Sequence, residues 1–390
     1  AELLGTCLPE PDPLKIQRPP PPPPGTGFQL EQPPWPLPGR TPETQGEAEN
    51  HADRLHRVHS KGWEFRRLPD PRPLQDPNSV APKPRFKEHF GYDDGIGNPA
   101  IRGERKGVRP INEVSAGEIV LGYPDETGAI PPGPTVSPGG RGGAVLPKGA
   151  FGRNGSFLVV RQLEQLPTLF WRFIHGAASD EAGAVRLASK MVGRWPNGAP
   201  LARWSADEPD AGTRDDDDYL YHGDREGYGC PIGAHVRRTN PRDAMPLVDD
   251  PDDSIRSVNR RRLLRRGRTY GSPVDGWPDP IQMAKGVEDQ ESRGLHFLCL
   301  CADINRQFEF VQQSWVNSRK FGGLSNDADP LLSNPKGGGG VGPSDFTYQA
   351  RSVNQEVSGL PQFVRTRGGA YFFMPGRRAL RYLAGLQLDA

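Results

Sequence analysis

The chain has 390 residues, enough for two ordinary domains or one large α+β unit with a sizeable core. Its 49 basic residues balance 48 acidic ones, which removes the global charge excess that would recruit nucleic acid or an anionic membrane surface, so partners must be argued from individual sites. Glycine (48) and proline (44) exceed average usage and imply long irregular connections; no apolar run reaches the roughly twenty residues of a membrane helix, and a soluble protein is expected, cytoplasmic in preference to secreted.

In chain order, residues 8–40 hold the run Pro19 to Pro24 and the cluster Pro33, Pro34, Pro36 and Pro38, which favours an extended polyproline arm over a helix or central strand. Residues 41–85 stay polar, with one short helix expected over 48–59, and packing is expected from Phe86 onward. The chain therefore divides into an arm and polar segment, 1–85, and a packed domain, 86–390. Within that domain Ser156 to Arg161 is a β-branched and aromatic run that predicts a strand, and Leu166 to Ile174 spaces its apolar residues as a helix does. Ser179 is placed to cap a second helix running to about Val192, before a turn at Trp195 to Gly198. Leu295 to Cys301 reads as a buried central strand, and 304–316 as a helix. A strand at Ala370 to Met374 and a closing helix over 376–386 follow. The order predicts helices packed on an antiparallel sheet.

Three segments could carry chemistry. Phe90 to Pro99 concentrates glycines around Asp93 and Asp94, so the backbone can turn tightly and approach a bound group, although an exposed Asp-Gly turn has the same composition. Gly229 to Arg242 sets His235 among small residues and follows it with Arg237, Arg238 and Arg242; histidine is the commonest protein ligand of haem iron, and guanidinium groups suit anionic propionates. Arg260 to Tyr270 places arginines beside Leu263 and Leu264, as in a half-buried element. The acidic run Asp215 to Asp218 reads as a solvated loop, and His51, His56 and His59 lack a fourth ligand. Cys7, Cys230, Cys299 and Cys301 show no C-x-x-C spacing and are expected as free thiols.

Taken in order, the three segments resemble the dye-decolorizing peroxidase family. Gly91-Tyr92-Asp93-Asp94-Gly95 is similar to that family's Gly-x-x-Asp-Gly motif, His235-Val-Arg-Arg-Thr-Asn-Pro-Arg242 to its His-x-Arg-x-x-Asn-Pro-Arg segment, and Leu263-Leu264-Arg265-Arg266-Gly267 to the stretch bearing its distal arginine. The resemblance spans residues 86–390, with supporting stretches at 157–173, 191–200, 295–324 and 364–386. It implies a ferredoxin-like antiparallel sheet with packed helices, of the dimeric α+β barrel type. It also implies haem b (iron protoporphyrin IX), with His235 as axial ligand and Arg242, Gly95 and Ile96 against the cofactor. Asp94 and Arg265 become the catalytic pair on the opposite face, with Arg266 in reserve, acting on hydrogen peroxide and on organic reductants such as dyes and phenolic compounds.

A positioned carboxylate can move a proton between the two peroxide oxygens, and a fixed guanidinium can stabilise the charge that builds on the departing one. A carboxylate base also implies an optimum on the acidic side of neutrality. Asp303 and Asp329 are candidates to orient His235, and Trp315 is a candidate for electron transfer to the surface, though a packing role on an amphipathic helix is the commoner one for such a residue. The family carries a ferredoxin-like half ahead of its Gly-x-x-Asp-Gly motif, where this chain has the arm and polar segment. That half is thus expected to be incomplete or replaced: either the arm takes its place, or a second polypeptide or homo-oligomer completes it, or a preceding piece has been cleaved away. Two competing readings remain: a haem-dependent lyase of a related α+β barrel group, and a non-catalytic interaction protein that presents the proline-rich arm.

Overall fold

A computed structural model describes residues 71, 73–77, 86–104, 110–136, 151–209, 216–246, 248–287, 289–332 and 344–385. The proline-rich arm, the helix expected over 48–59 and Cys7 lie outside these residues. The first strands, β1 (Ala100–Ile101) and β2 (Glu113–Val114), make a small parallel pair. The main sheet is built on β3 (Ser156–Gln165), which extends the expected run and lies between β6 (Gly294–Cys301) and β9 (Val364–Met374), antiparallel to both. Two short strands, β4 (Leu264–Arg265) and β5 (Arg268–Tyr270), both pair with β6, so the order is β4-β6-β3-β9 with β5 beside β4. Among the described residues this sheet stays open and does not close into a barrel. A hairpin the sequence did not announce, β7 (Ser344–Tyr348) and β8 (Gln355–Leu360), forms apart from it.

Helix α1 (Pro167–Ala177) begins with proline in its first turn, where no N–H is needed, and buries Phe170, Trp171 and Ile174. The cap of α2 (Glu181–Val192) is Asp180, not Ser179: the backbone at Asp180 is extended, and its Oδ1 accepts the Gly183 N–H at 2.7 Å. The helix ends at Gly193, whose φ of 96° is left-handed. A Cβ there would stand 3.1 Å from Cβ of Val236, so glycine lets α2 close onto α3 (His235–Thr239). Further on come α4 (Pro251–Asn259), α5 (Pro280–Lys285) and the closing α6 (Arg377–Gly385). The stretch expected as one helix from Ile304 is two π-helical pieces, Asn305–Glu309 and Val311–Val316, with bonds from Glu309 N–H to Ile304 O and Asn317 N–H to Gln312 O.

The largest apolar cluster joins Phe170, Trp171, Ile174 and Met191 to Phe90 and Tyr92 of the glycine-rich segment. Phe170 meets Trp171 edge-on at 5.1 Å, and Trp171 Nε1–H donates to Phe90 O at 3.0 Å. Burying each such aromatic is worth about 1.5–3 kcal/mol, so the candidate loop is anchored by the core itself. Packing reaches back before Phe86: Leu74 is buried and Gln75 bridges to Phe86. Cys230, Cys299 and Cys301 are buried and unpaired.

Candidate active site

The segment from Phe86 to Asn98 is held from both ends. Lys87 Nζ donates to Gly91 O (3.0 Å) and Pro196 O (2.7 Å) and pairs with Asp93 at 3.0 Å. The Glu88 carboxylate accepts the Phe90 and Tyr92 N–H groups, both at 2.9 Å, and Gln165 Nε2–H at 2.6 Å from β3. Asp94 is exposed, its N–H donating to Phe86 O at 3.0 Å and its Oδ1 accepting the Gly95 N–H at 2.6 Å. The following residues attach to the arginine segment: Arg265 Nη2–H donates to Ile96 O at 2.6 Å, Arg265 N–H to Asn98 Oδ1 at 2.9 Å, and Arg262 Nη2–H to Gly97 O at 3.1 Å. The motif of Asp94, Gly95 and Ile96 and the side chain of Arg265 are therefore brought together. Arg266 points away, exposed, donating to Arg265 O.

His235 opens α3 and keeps its side chain 23% exposed. Its Nδ1 lies 2.8 Å from Oδ2 of Asp329, which is buried. Burial pushes the Asp329 carboxyl up, but the His235 imidazole and its hydrogen bond, with help from the Leu332 N–H and Arg238, outweigh it and hold the group below its ordinary range. A carboxylate can only accept, so Nδ1–H donates, which leaves Nε2 as the nitrogen available to a metal. Of the two carboxylates considered from sequence, Asp329 is the one on His235; Asp303 instead caps the Arg306 N–H at 2.9 Å.

Arg242 is buried against Asp217, a member of the acidic run that the sequence reads as solvated. Its Nη2–H meets Asp217 Oδ1 at 2.6 Å, while Nη1–H donates to Asp217 O (2.9 Å) and Tyr219 O (3.0 Å). The same Oδ1 accepts Arg194 Nη2–H at 3.0 Å, and Asp216 and Asp218 both pair with Arg203. Asp216, Asp217 and Asp218 thus form a knot of ion pairs, while Asp215 lies outside the described residues. A Cβ on Gly97, where φ is +82°, would lie 3.4 Å from Asp217 Oδ1 and 3.7 Å from Arg265 Nη2. Asp217, bound to the arginine after His235, therefore lies beside the loop after Asp94, a proximity the sequence hid because these segments are remote along the chain. Arg262 belongs to the same knot; burial and the neighbouring Arg242 charge bring it down to about 10. Trp315 is only 4% exposed, packed between Phe310 (5.5 Å) and Phe321 (6.4 Å), and its carbonyl accepts Arg238 Nη1–H at 2.8 Å.

No family model matches the chain. Among curated proteins it is 31% identical over 310 residues to the multifunctional dye peroxidase DyP2 of Amycolatopsis sp., a match covering 76% of this chain and 61% of that protein. It is likewise 31% identical over 305 residues to a dye-decolorizing peroxidase of Auricularia auricula-judae, covering 74% and 54%. The chain thus spans a little over half the length of these relatives. Among solved structures, an ancestral D-type dye decolorizing peroxidase superposes with a TM-score of 0.63 at 26% identity, covering 87% of this chain and 71% of that one. These neighbours share the α+β, ferredoxin-like arrangement of antiparallel sheet and helices. By sequence and by fold the chain is similar to dye-decolorizing peroxidases over most of its own length.

Proposed function

We propose that this chain forms the haem site of a peroxidase that reduces hydrogen peroxide and oxidises organic donors such as dyes and phenolic compounds. The observation that carries the reading is proximity: Asp217, bound to Arg242 of the segment that holds His235, lies beside Gly97 of the Asp94 loop, where Arg265 donates to Ile96 O. The donor set fits a haem on two counts. His235 offers Nε2, its ring oriented by Asp329, and Arg242 keeps a buried Nε–H without a partner, suited to a propionate carboxylate. Gly95 and Ile96 would line the other face.

Bound haem would supply the redox chemistry on peroxide. Asp94, exposed at its loop, takes a proton from one peroxide oxygen and delivers it to the other. Arg265, aimed by its bond to Ile96 O and always cationic, stabilises the negative charge on the departing oxygen. Asp329 keeps the His235 ring from rotating. Trp315 would serve as an interior relay for oxidising equivalents, with a further residue needed to reach the surface. The partner that completes the fold would be a second α+β unit seated on β9 and α6, where Tyr371, Phe372, Met374, Leu380 and Leu383 are exposed.

The test is a haem titration of the full chain followed by peroxide turnover. Asp94→Asn is expected to bind haem as the native chain does and to lose about 10²–10⁴-fold in kcat/KM for peroxide. A chain that shows no Soret shift on titration, or an Asp94→Asn variant with native turnover, would refute the reading.

A further inference from the structure

We infer that Glu88 is a positioning residue for the Asp94 loop, acting through the hydrogen bonds its carboxylate accepts from Phe90 N–H, Tyr92 N–H and Gln165 Nε2–H. The conformational part of this inference stands alone; its effect on turnover rests on the peroxidase reading.

The geometry is reciprocal. Tyr92 N–H donates to Glu88 Oε1 while Glu88 N–H donates to Tyr92 O at 2.9 Å, so side chain and backbone close the same turn. Gly91 N–H adds a bond to Glu88 O at 2.9 Å, and Trp277 Nε1–H another at 3.1 Å. Two residues past this turn stands Asp94. The donors come from three places: the loop itself, β3 through Gln165, and the segment before α5 through Trp277. Facing the carboxylate are the Asp94 carboxylate and the Tyr92 phenol on its own loop and the uncharged Gln165 amide from β3, while Trp277 reaches only the Glu88 carbonyl. Lys87 is turned elsewhere, onto Gly91 O, Pro196 O and Asp93.

An ionised carboxylate satisfies all three donors at once, since it only accepts. Adding a proton turns one oxygen into a donor opposite donors, which loosens the turn. Burial, with a smaller push from Asp94, raises the Glu88 carboxyl to about 7 against the opposing hydrogen bonds from Phe90, Tyr92 and Gln165. Both forms are therefore populated near neutral pH, and the loop should tighten as pH rises through that range.

Trp171 and Trp277 each donate to this turn, at Phe90 O and Glu88 O, so intrinsic fluorescence reports on it without haem. In the full chain a fluorescence transition centred near pH 7 is expected, together with loss of a carboxylic-acid infrared band across the same range. Glu88→Gln should abolish both, because an amide nitrogen replaces one acceptor. With haem bound, kcat for peroxide should fall about ten- to a hundredfold in this variant at pH 8 while haem affinity is unchanged. Gln165→Leu, which keeps the carboxyl and removes one donor to it, should move the fluorescence midpoint upward. That variant decides the matter if Glu88→Gln fails to fold. A neutral-pH transition that survives Glu88→Gln, or a midpoint unmoved by Gln165→Leu, overturns the inference. A chain without peroxidase activity whose transition vanishes in Glu88→Gln would leave Glu88 as the loop's anchor and overturn only the peroxidase reading.

Discussion

Asp329 decides what the His235 ring can offer. Two of its acceptor positions are spent on the Leu331 and Leu332 N–H groups through Oδ1, at 2.9 and 2.8 Å, which leaves Oδ2 aimed at Nδ1. In Asp329→Asn the amide NH₂ would face Nδ1, driving the proton to Nε2 and blocking that nitrogen as a ligand. Haem affinity is expected to fall about 10–100-fold, read by Soret titration, with the unfolding midpoint as a control for folding. Native affinity in this variant would remove Asp329 from the site. The histidine was legible in the sequence because its flanking pattern is ordered and specific; its partner was not, since Asp303 and Asp329 both stand beside helical stretches and only the folded chain shows which one lies within hydrogen-bond reach. Glu88 escaped notice for a related reason: a glutamate ahead of a glycine turn reads as solvated until its donors are seen.

Among elements, the connections matter more than the strands and helices they join. Asp217 sits on an irregular loop, 14% exposed, yet it pairs with Arg194 and Arg242, whose side chains are 8% and 2% exposed. Asp217→Ala would leave two guanidinium groups buried without their carboxylate, a loss expected to cost about 3–5 kcal/mol, measurable by denaturant unfolding. Because the same oxygen lies against Gly97, the variant should also disturb the Arg265 contact. A loss under about 1 kcal/mol would mean that the carbonyls of Asp217 and Tyr219 hold Arg242 by themselves. The strand β3 was readable from its β-branched and aromatic run, β6 from its continuous apolar run, the end of β9 from 370–374, α1 from apolar spacing, and α2 from a polar capping position that proved to lie one residue further on. The π-helical pieces were not, because side chains spaced for one wide helix leave the same short pattern in a dozen residues. The β7–β8 hairpin also went unread: its polar, Gln- and Glu-bearing second strand lacks the alternation that marks a half-buried one.

For the molecule as a whole, the outer flank of the sheet is the unfinished surface. Residues 365–372 of β9 are exposed, and among the described residues no strand pairs with its far edge. The surrounding charge is positive, from Arg365, Arg367, Arg377, Arg378 and Arg381, which disfavours pairing between two copies and suits a unit with an acidic rim. Hydrogen–deuterium exchange on the isolated chain is expected to show fast exchange at alternate amides across 364–374, and Phe372→Lys should leave the unfolding free energy within about 0.5 kcal/mol. Uniform protection of β9 in a monomer would show that the chain covers this edge itself. The interior, by contrast, is sealed where sulfur is concerned: burial raises the Cys230 thiol to about 11, the Cys301 thiol to about 12, and Cys299 further still. Attack on an oxidant requires the anionic form of sulfur, so at all three positions the side chain is held at the bottom of the oxidation ladder.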